Sequence, residues 1–305
     1  MSAHGPQPKR LRRCQLAVPG SSEKMLTKAA GLGVDHVFCD LEDAVAPSAK
    51  PAARHTIVDA LNNLDWGNTV RCVRVNDVTT EWCFEDIITL VEGAGENLDT
   101  IMLTKPFGAE DILFADKLLT QLEKKLGLKK RIGLECLIEE VEAMHNVWEI
   151  AHSTDRLECM VFGMGDYAAS QGMSVKDIGM ATYPGDVFHY PRYQLTIAAR
   201  AAGIDAVDGP YANFNNPEGY TEECRRSLTL GMVGKWAIHP SQVPAATEVF
   251  SPDQKDVDLA REMIAVYREA EANGIGSVSH KGSMVDAATA RLFQNTVDRA
   301  DLCGM

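Results

Sequence analysis

Two acidic residues carry the most specific chemistry in this sequence. Glu139 closes the apolar run Ile132–Ile138, and Asp166 follows the next such run in Gly163-Met164-Gly165-Asp166. If both runs are adjacent strands, the two carboxylates converge on one point, and the flanking glycines lower the bulk around the second. Two carboxylates with positions left open for water and substrate oxygens suit Mg²⁺ better than zinc, with Mn²⁺ as an alternative ion. The same pair could act as a general acid/base couple without metal.

Other ionisable residues fall at corresponding places. Apolar runs end in Asp40-Leu41-Glu42-Asp43, Arg74-Val75-Asn76-Asp77, Lys105-Pro106, Asp208-Gly209 and His239-Pro240. Counting Glu139 and Asp166, seven of eight runs thus deliver an ionisable residue to one face. Each also has a purely structural reading. Asp43 or Glu140 could be helix N-caps, Lys105 could pair with Glu42 or Asp43, and His239 could hydrogen-bond a neighbouring loop.

The elements that must position these groups alternate along the chain. Strands are expected at Cys14–Val18, His36–Cys39, Val70–Val75, Thr100–Leu103, Ile132–Ile138, Met160–Phe162, Ile204–Val207 and Lys235–Ile238. Helices are expected at Ser22–Leu32, Ala49–Leu61, Phe84–Glu92, Glu110–Leu126, Glu140–Ala151, Tyr190–Ala202 and Glu218–Leu230. Apolar residues at 112, 115, 118, 119, 122 and 126 show the spacing of a helix packed on one face. Eight strands alternating with helices predict a parallel sheet closed into a (β/α)₈ barrel, whose chemistry sits at the C-terminal ends of its strands. An open doubly wound sheet is less favoured, because no GxGxxG follows the first strand.

The pattern changes after Pro252. Lys255–Ala272 reads as a long helix, Asn273–His280 as a Gly/Ser linker and Asp286–Ala300 as a final helix. The expectation is a barrel over residues 1–250 and a helical C-terminal extension over 251–305, either a mobile lid or a cover for the barrel's side.

Composition excludes some classes. Of 305 residues, 45% are hydrophobic and 24% charged, as in an ordinary globular protein. The net charge of −13 argues against general nucleic-acid binding, which needs a positive field. The cysteines form no CxxC pair and no zinc-spaced cluster, so buried thiols in a reducing compartment are expected. No stretch reads as a signal peptide or membrane span, which makes the cytoplasm the default.

The segments RRCQLAVPGS, FCDLEDAVAPSAKPAAR, VRVND, IMLTKP, LIEE, FGMGDYAASQGM, GKWAIHPSQV and KGSMVDAAT, in that order, resemble the citrate lyase β-subunit-like (HpcH/HpaI aldolase) lyases. Among these, the likeness is to malyl-CoA, β-methylmalyl-CoA and citramalyl-CoA lyases. The resemblance implies a TIM barrel with Glu139 and Asp166 as metal ligands and Arg74 on the reacting oxygen. It makes Asp286 an acid/base supplied by a neighbouring subunit, the extension a lid, and the assembly a homotrimer or homohexamer. Glu42, Asp43 and Lys105 are expected to orient water and ligands around the metal. Lys28 and Trp236 are expected to join Arg74 in binding a CoA thioester. Many malyl-CoA lyases carry a basic residue where this chain has Ser22, so Lys24 or Lys28 must substitute on the CoA phosphates. The stretch from Ser174 to His189 is also shorter than in many of them. Glyoxylate and pyruvate, as the released acids, differ by a methyl group worth only ~1–3 kcal/mol in an apolar pocket. Competing readings are a malyl-CoA thioesterase or malate-synthase-like enzyme, a CoA-independent class II aldolase, and a non-catalytic lyase subunit.

Overall fold

The computed structural model describes residues 8–174 and 185–305. Eight strands run in sequence: β1 Cys14–Pro19, β2 His36–Asp40, β3 Val70–Arg74, β4 Thr100–Leu103, β5 Gly133–Ile138, β6 Leu157–Phe162, β7 Asp205–Asp208 and β8 Gly234–Ala237. Each pairs in parallel with its neighbours, and β8 returns to β1, closing the barrel. The expected (β/α)₈ architecture is therefore observed. Strands of such a sheet are covered on both faces, which is why they read as continuous apolar runs rather than alternating ones.

The helices that complete the first compact unit, Arg12–Thr247, are α1 Glu23–Ala30, α2 Lys50–Asn63, α3 Cys83–Ala94, α4 Ala109–Leu126, α5 Val141–His145, α6 Val147–Ala151, α7 Met164–Ser170, α8 His189–Ala202 and α9 Pro217–Leu230. The single helix expected over Glu140–Ala151 is two short ones, interrupted at Asn146, whose side chain donates to the Phe107 carbonyl at 2.8 Å. Helix α7 occupies what read as a bare strand-end loop. Most of the stretch between Ser174 and His189 lies outside the described residues.

Side chains two apart on a strand share a face, and this periodicity fills the barrel in layers. Phe38, Cys72, Met102, Leu137, Cys159, Val161, Val207 and Trp236 form an apolar middle. Two residues further along, Asp40, Arg74 and Glu139 form the layer at the C-terminal mouth. At the other end Glu135 gathers Arg12, Gln15, His36 and Thr100 by hydrogen bonds of 2.9 to 3.3 Å.

The second unit comprises Glu248–Met305 with Lys9–Leu11. It contains α11 Gln254–Ala272, β9 Ser277–His280, β10 Ser283–Asp286 and α12 Ala287–Leu302; helix α10, Val243–Phe250, precedes them. The expected Gly/Ser linker is instead half of a β-hairpin. β9 and β10 pair antiparallel around Lys281-Gly282, whose φ values of 46° and 79° are those of the two-residue hairpin turn. The strands are four residues long and mostly polar, so no apolar run marked them. Among the described residues, no helix is long and apolar enough to cross a membrane.

Candidate active site

The mouth is organised around Arg74, at the end of β3. Its Nε and Nη2 donate to the two carboxylate oxygens of Asp40, on the neighbouring strand, at 2.7 and 2.6 Å. Asp40 also accepts from the backbone N–H of Glu42 at 2.9 Å and of Ala44 at 3.1 Å. Burial alone would raise the Asp40 pKa. The adjacent guanidinium and these N–H donors outweigh it and hold the carboxyl below the ordinary range. Arg74 lies 5.3 Å from the Trp236 ring and 5.7 Å from the Phe38 ring, so the apolar layer is the floor under its guanidinium. Its remaining Nη1 is 3.1 Å from Glu42.

Glu42 also pairs with Lys105, so its carboxylate bridges two cations. Asp43 is exposed, and its carboxylate is 3.9 Å from the Lys105 ammonium. Lys105 has φ 48°, unusual for any residue but glycine, and precedes Pro106. That conformation turns its N–H to donate to Glu139 at 3.1 Å. The Lys105 reading thus resolves into an ion pair with Glu42 made at the same time as a backbone contact to Glu139.

Glu139 is 1% exposed. Burial and the nearby carboxylates of Glu42 and Asp166 push its pKa up to about 8, against the opposing pull of Lys105 and Arg74. Asp166 lies in the first turn of α7 and is partly exposed. Gly163 lets the two segments meet: a Cβ there would stand 2.4 Å from the Glu139 Cβ and 2.7 Å from its Oε2. The cluster therefore joins a buried acid, a partly open acid and a third acid already engaged by cations. Glu139 and Asp166 could hold a hard divalent cation, since added positive charge offsets their repulsion and oxygen is the donor such ions prefer.

Other candidates fall elsewhere. Asp208 does not reach the mouth, because Val207 takes the inward position on β7. Its carboxylate instead accepts from Lys235 at 2.7 Å, Arg192 at 2.8 Å and Ser227 at 2.5 Å, against α8 and α9. The expectation that seven strand ends serve one face is corrected to that extent. His239 caps the turn after β8 through Ser241 and stacks on Phe214 at 4.9 Å. Lys24 and Lys28 are exposed, one helical turn apart on α1. Trp236 is 8% exposed, and its indole N–H has no partner among the described residues. Asp286, in the second unit, caps α12 by accepting from the Thr289 N–H at 2.8 Å.

Among the described residues, the one group of three potential metal-binding side chains is His36, Cys72 and Glu135, at the opposite end of the barrel. Glu135 Oε1 already accepts from Arg12, His36 and Thr100, and the Arg12 charge beside it disfavours a cation. Asp40 is the site residue that the sequence did not single out. The available signal was its inward position, two residues beyond Phe38 and paired with Arg74 in register.

Residues 13–240 match the HpcH/HpaI aldolase/citrate lyase family. An L-malyl-CoA/β-methylmalyl-CoA lyase of Rhodobacter capsulatus is 41% identical over 308 residues, covering 97% of both chains. A malyl-CoA/β-methylmalyl-CoA/citramalyl-CoA lyase of Chloroflexus aurantiacus is 33% identical over 88% of this chain and 81% of its own. Among solved structures, the protein CitE of Mycobacterium tuberculosis, in complex with magnesium, acetoacetate and coenzyme A, superposes with a TM-score of 0.74. It shares 26% identity over 94% of this chain and 97% of its own.

Proposed function

The chain belongs to the HpcH/HpaI aldolase/citrate lyase family, and on that premise we propose that it is a Mg²⁺-dependent acyl-CoA lyase. It is a carbon–carbon lyase that cleaves L-malyl-CoA, β-methylmalyl-CoA or (S)-citramalyl-CoA to glyoxylate or pyruvate and acetyl-CoA or propionyl-CoA. The observation that carries the reading is the Arg74 guanidinium, clamped by Asp40 and Glu42 in one mouth with Glu139.

Glu139 and Asp166 would hold a divalent cation, which would supply positive charge to stabilise developing oxygen anions. Arg74 stabilises oxygen charge as the carbon–carbon bond breaks. Its guanidinium is already fixed by Asp40, so little reorganisation accompanies the reaction. Glu42 and Lys105 hold Arg74 and Glu139 in place, and Asp43 lies at their exposed edge. The hydroxyl proton passes to water as the carbinol carbon becomes a carbonyl, and the electron pair of the broken carbon–carbon bond passes to the thioester enolate. Asp286 of a neighbouring subunit returns a proton to the enolate carbon, or removes it in the condensing direction. Lys24 and Lys28, spaced along one helix face, suit the CoA phosphates. Trp236, whose ring lies 5.3 Å from the Arg74 guanidinium, joins it in binding the substrate, and the subunits assemble as a homotrimer or homohexamer.

The test is to incubate the protein with the three CoA esters, with and without Mg²⁺, and identify the products. Mg²⁺-dependent release of acetyl- or propionyl-CoA that is lost in Asp166→Ala supports the reading. Free CoA as the primary product would mean thioester hydrolysis, and undiminished turnover without metal would remove the proposed metal site. Asp286→Ala subunits mixed with Glu139→Ala subunits should regain activity if the site is shared.

A further inference from the structure

Lys50, the first residue of α2, is 8% exposed, yet among the described residues its ammonium donates no hydrogen bond to a carboxylate. Its Nζ donates to the carbonyls of Leu41 and Glu42, both at 2.8 Å, and to Asn76 Oδ1 at 2.5 Å. An ammonium has three protons, and all three are used. Two of the acceptors are backbone atoms of the loop that carries Glu42 and Asp43. The third lies two residues past Arg74, and Asn76 is itself fixed by Asp86, which accepts from its N–H at 3.0 Å and its Nδ2 at 2.6 Å. Arg54, on the same helix as Lys50, secures Asp86 from the other side at 2.6 Å.

We infer that Lys50 is a positioning residue for the lyase reaction, its ammonium acting as a built-in monovalent cation that joins the β2–α2 loop to the segment after β3. The Glu42 carbonyl also accepts from the Val45 N–H at 3.2 Å, whereas the Leu41 carbonyl depends on the ammonium. Without the ammonium, the Leu41 and Glu42 carbonyls repel each other in a poorly hydrated place, and the loop relaxes towards water. The Glu42 carboxylate then loses its alignment between Arg74 and Lys105, and with it the backbone contact from Lys105 to Glu139. Lys50 touches none of the residues proposed to hold the metal, so it acts on them through the Glu42 loop and the Asn76 segment. The inference rests on the proposed function for its catalytic readout, but the three-oxygen cradle can be tested without it.

Replacing Lys50 with alanine leaves a space lined by three oxygens of the kind that coordinate NH₄⁺ or K⁺. Lys50→Ala should lower kcat by about 10–100-fold, the usual cost of removing a group that orients ligands, with KM for the thioester within a fewfold of the original. Ammonium chloride should raise the variant's melting temperature and restore part of its kcat, whereas tetramethylammonium chloride at equal ionic strength should do neither. The unsubstituted protein should respond to neither salt. A melting response without recovery of kcat would make Lys50 merely structural and overturn the inference, as would unchanged kcat in Lys50→Ala. Lys50→Arg covers the case of an alanine variant that does not fold. A planar guanidinium cannot meet three oxygens disposed around one nitrogen, so kcat should fall with KM retained, and full activity would overturn the inference. Absence of lyase activity in the unsubstituted protein would count against the proposed function, leaving the ammonium-dependent melting shift to decide the cradle.

Discussion

Arg74 and Asp40 occupy adjacent strands in register and share two parallel hydrogen bonds, from Nε at 2.7 Å and Nη2 at 2.6 Å. Both side chains are buried, at 4% and 1% exposure. The pair fixes which part of the guanidinium faces the mouth. Two of its three nitrogens are engaged by Asp40, and the third, Nη1, lies on the side of Glu42.

Asp40→Asn should therefore damage both folding and turnover. The amide offers one acceptor where two are needed and leaves a buried cation undercompensated. Loss of one partner from a buried pair typically costs about 3–5 kcal/mol, and kcat should drop by about 10–100-fold. Denaturant unfolding alongside steady-state kinetics checks both. A variant with unchanged stability and kcat would show that Arg74 does not depend on the clamp.

Gly163→Ala tests the approach of the β6 end to Glu139. The added methyl would stand 2.4 Å from the Glu139 Cβ, a side chain packed too tightly to swing aside. Overpacking of this kind costs about 1–3 kcal/mol, and Glu139 must move relative to Asp166. Mn²⁺ titration followed by electron paramagnetic resonance should show affinity weakened by about 10–100-fold. Equal affinity in the two proteins would separate Glu139 from the metal.

The strand count and the positions of Glu139, Arg74 and Asp166 were legible because each is local. An apolar run marks a strand, and the residues that end or closely follow it mark the mouth. Direction across the barrel wall was less legible. Asp208 ends its run as Arg74 does, but one residue out of phase with the inward set, so its charge meets Lys235 and Arg192 instead. Lys50 was hidden for another reason. At the start of an expected helix it reads as a solvated lysine, and nothing nearby in sequence tells that Asn76 lies within reach. The β9–β10 hairpin depends on two positive φ values at Lys281-Gly282, and a lysine gives no hint of the first.

The polar layer at the far end of the barrel sets an acid limit. Burial alone would raise the Glu135 pKa, but His36 and Arg12 beside it outweigh that and hold it well below the ordinary glutamate range. A group depressed on folding contributes stability that is present above its unfolded pKa, about 4.3, and lost as pH falls through the folded value. The Glu135 contribution, read as the difference between the protein and its Glu135→Gln variant, should therefore hold from neutrality to about pH 4.3 and decline below it. Glu135→Gln should lose stability at neutral pH, by about 3–5 kcal/mol for the abandoned Arg12, and its acid decline should be shallower. An identical acid slope in both proteins would assign the titration to other carboxylates.

Lys105 combines two features that a pair of variants can separate. Its ammonium holds Glu42, and its left-handed backbone aims an N–H at Glu139. Lys105→Met removes the ammonium while keeping the strained φ of 48°. Lys105→Gly removes the ammonium and relieves the strain, which should make it more stable than the methionine variant by roughly 1 kcal/mol after the entropic penalty of glycine. If the charge on Glu42 is what turnover requires, the two variants lose kcat equally, by about 10–100-fold, despite differing in stability. Full kcat in both variants would show that the backbone contact to Glu139 suffices and that the ammonium is dispensable.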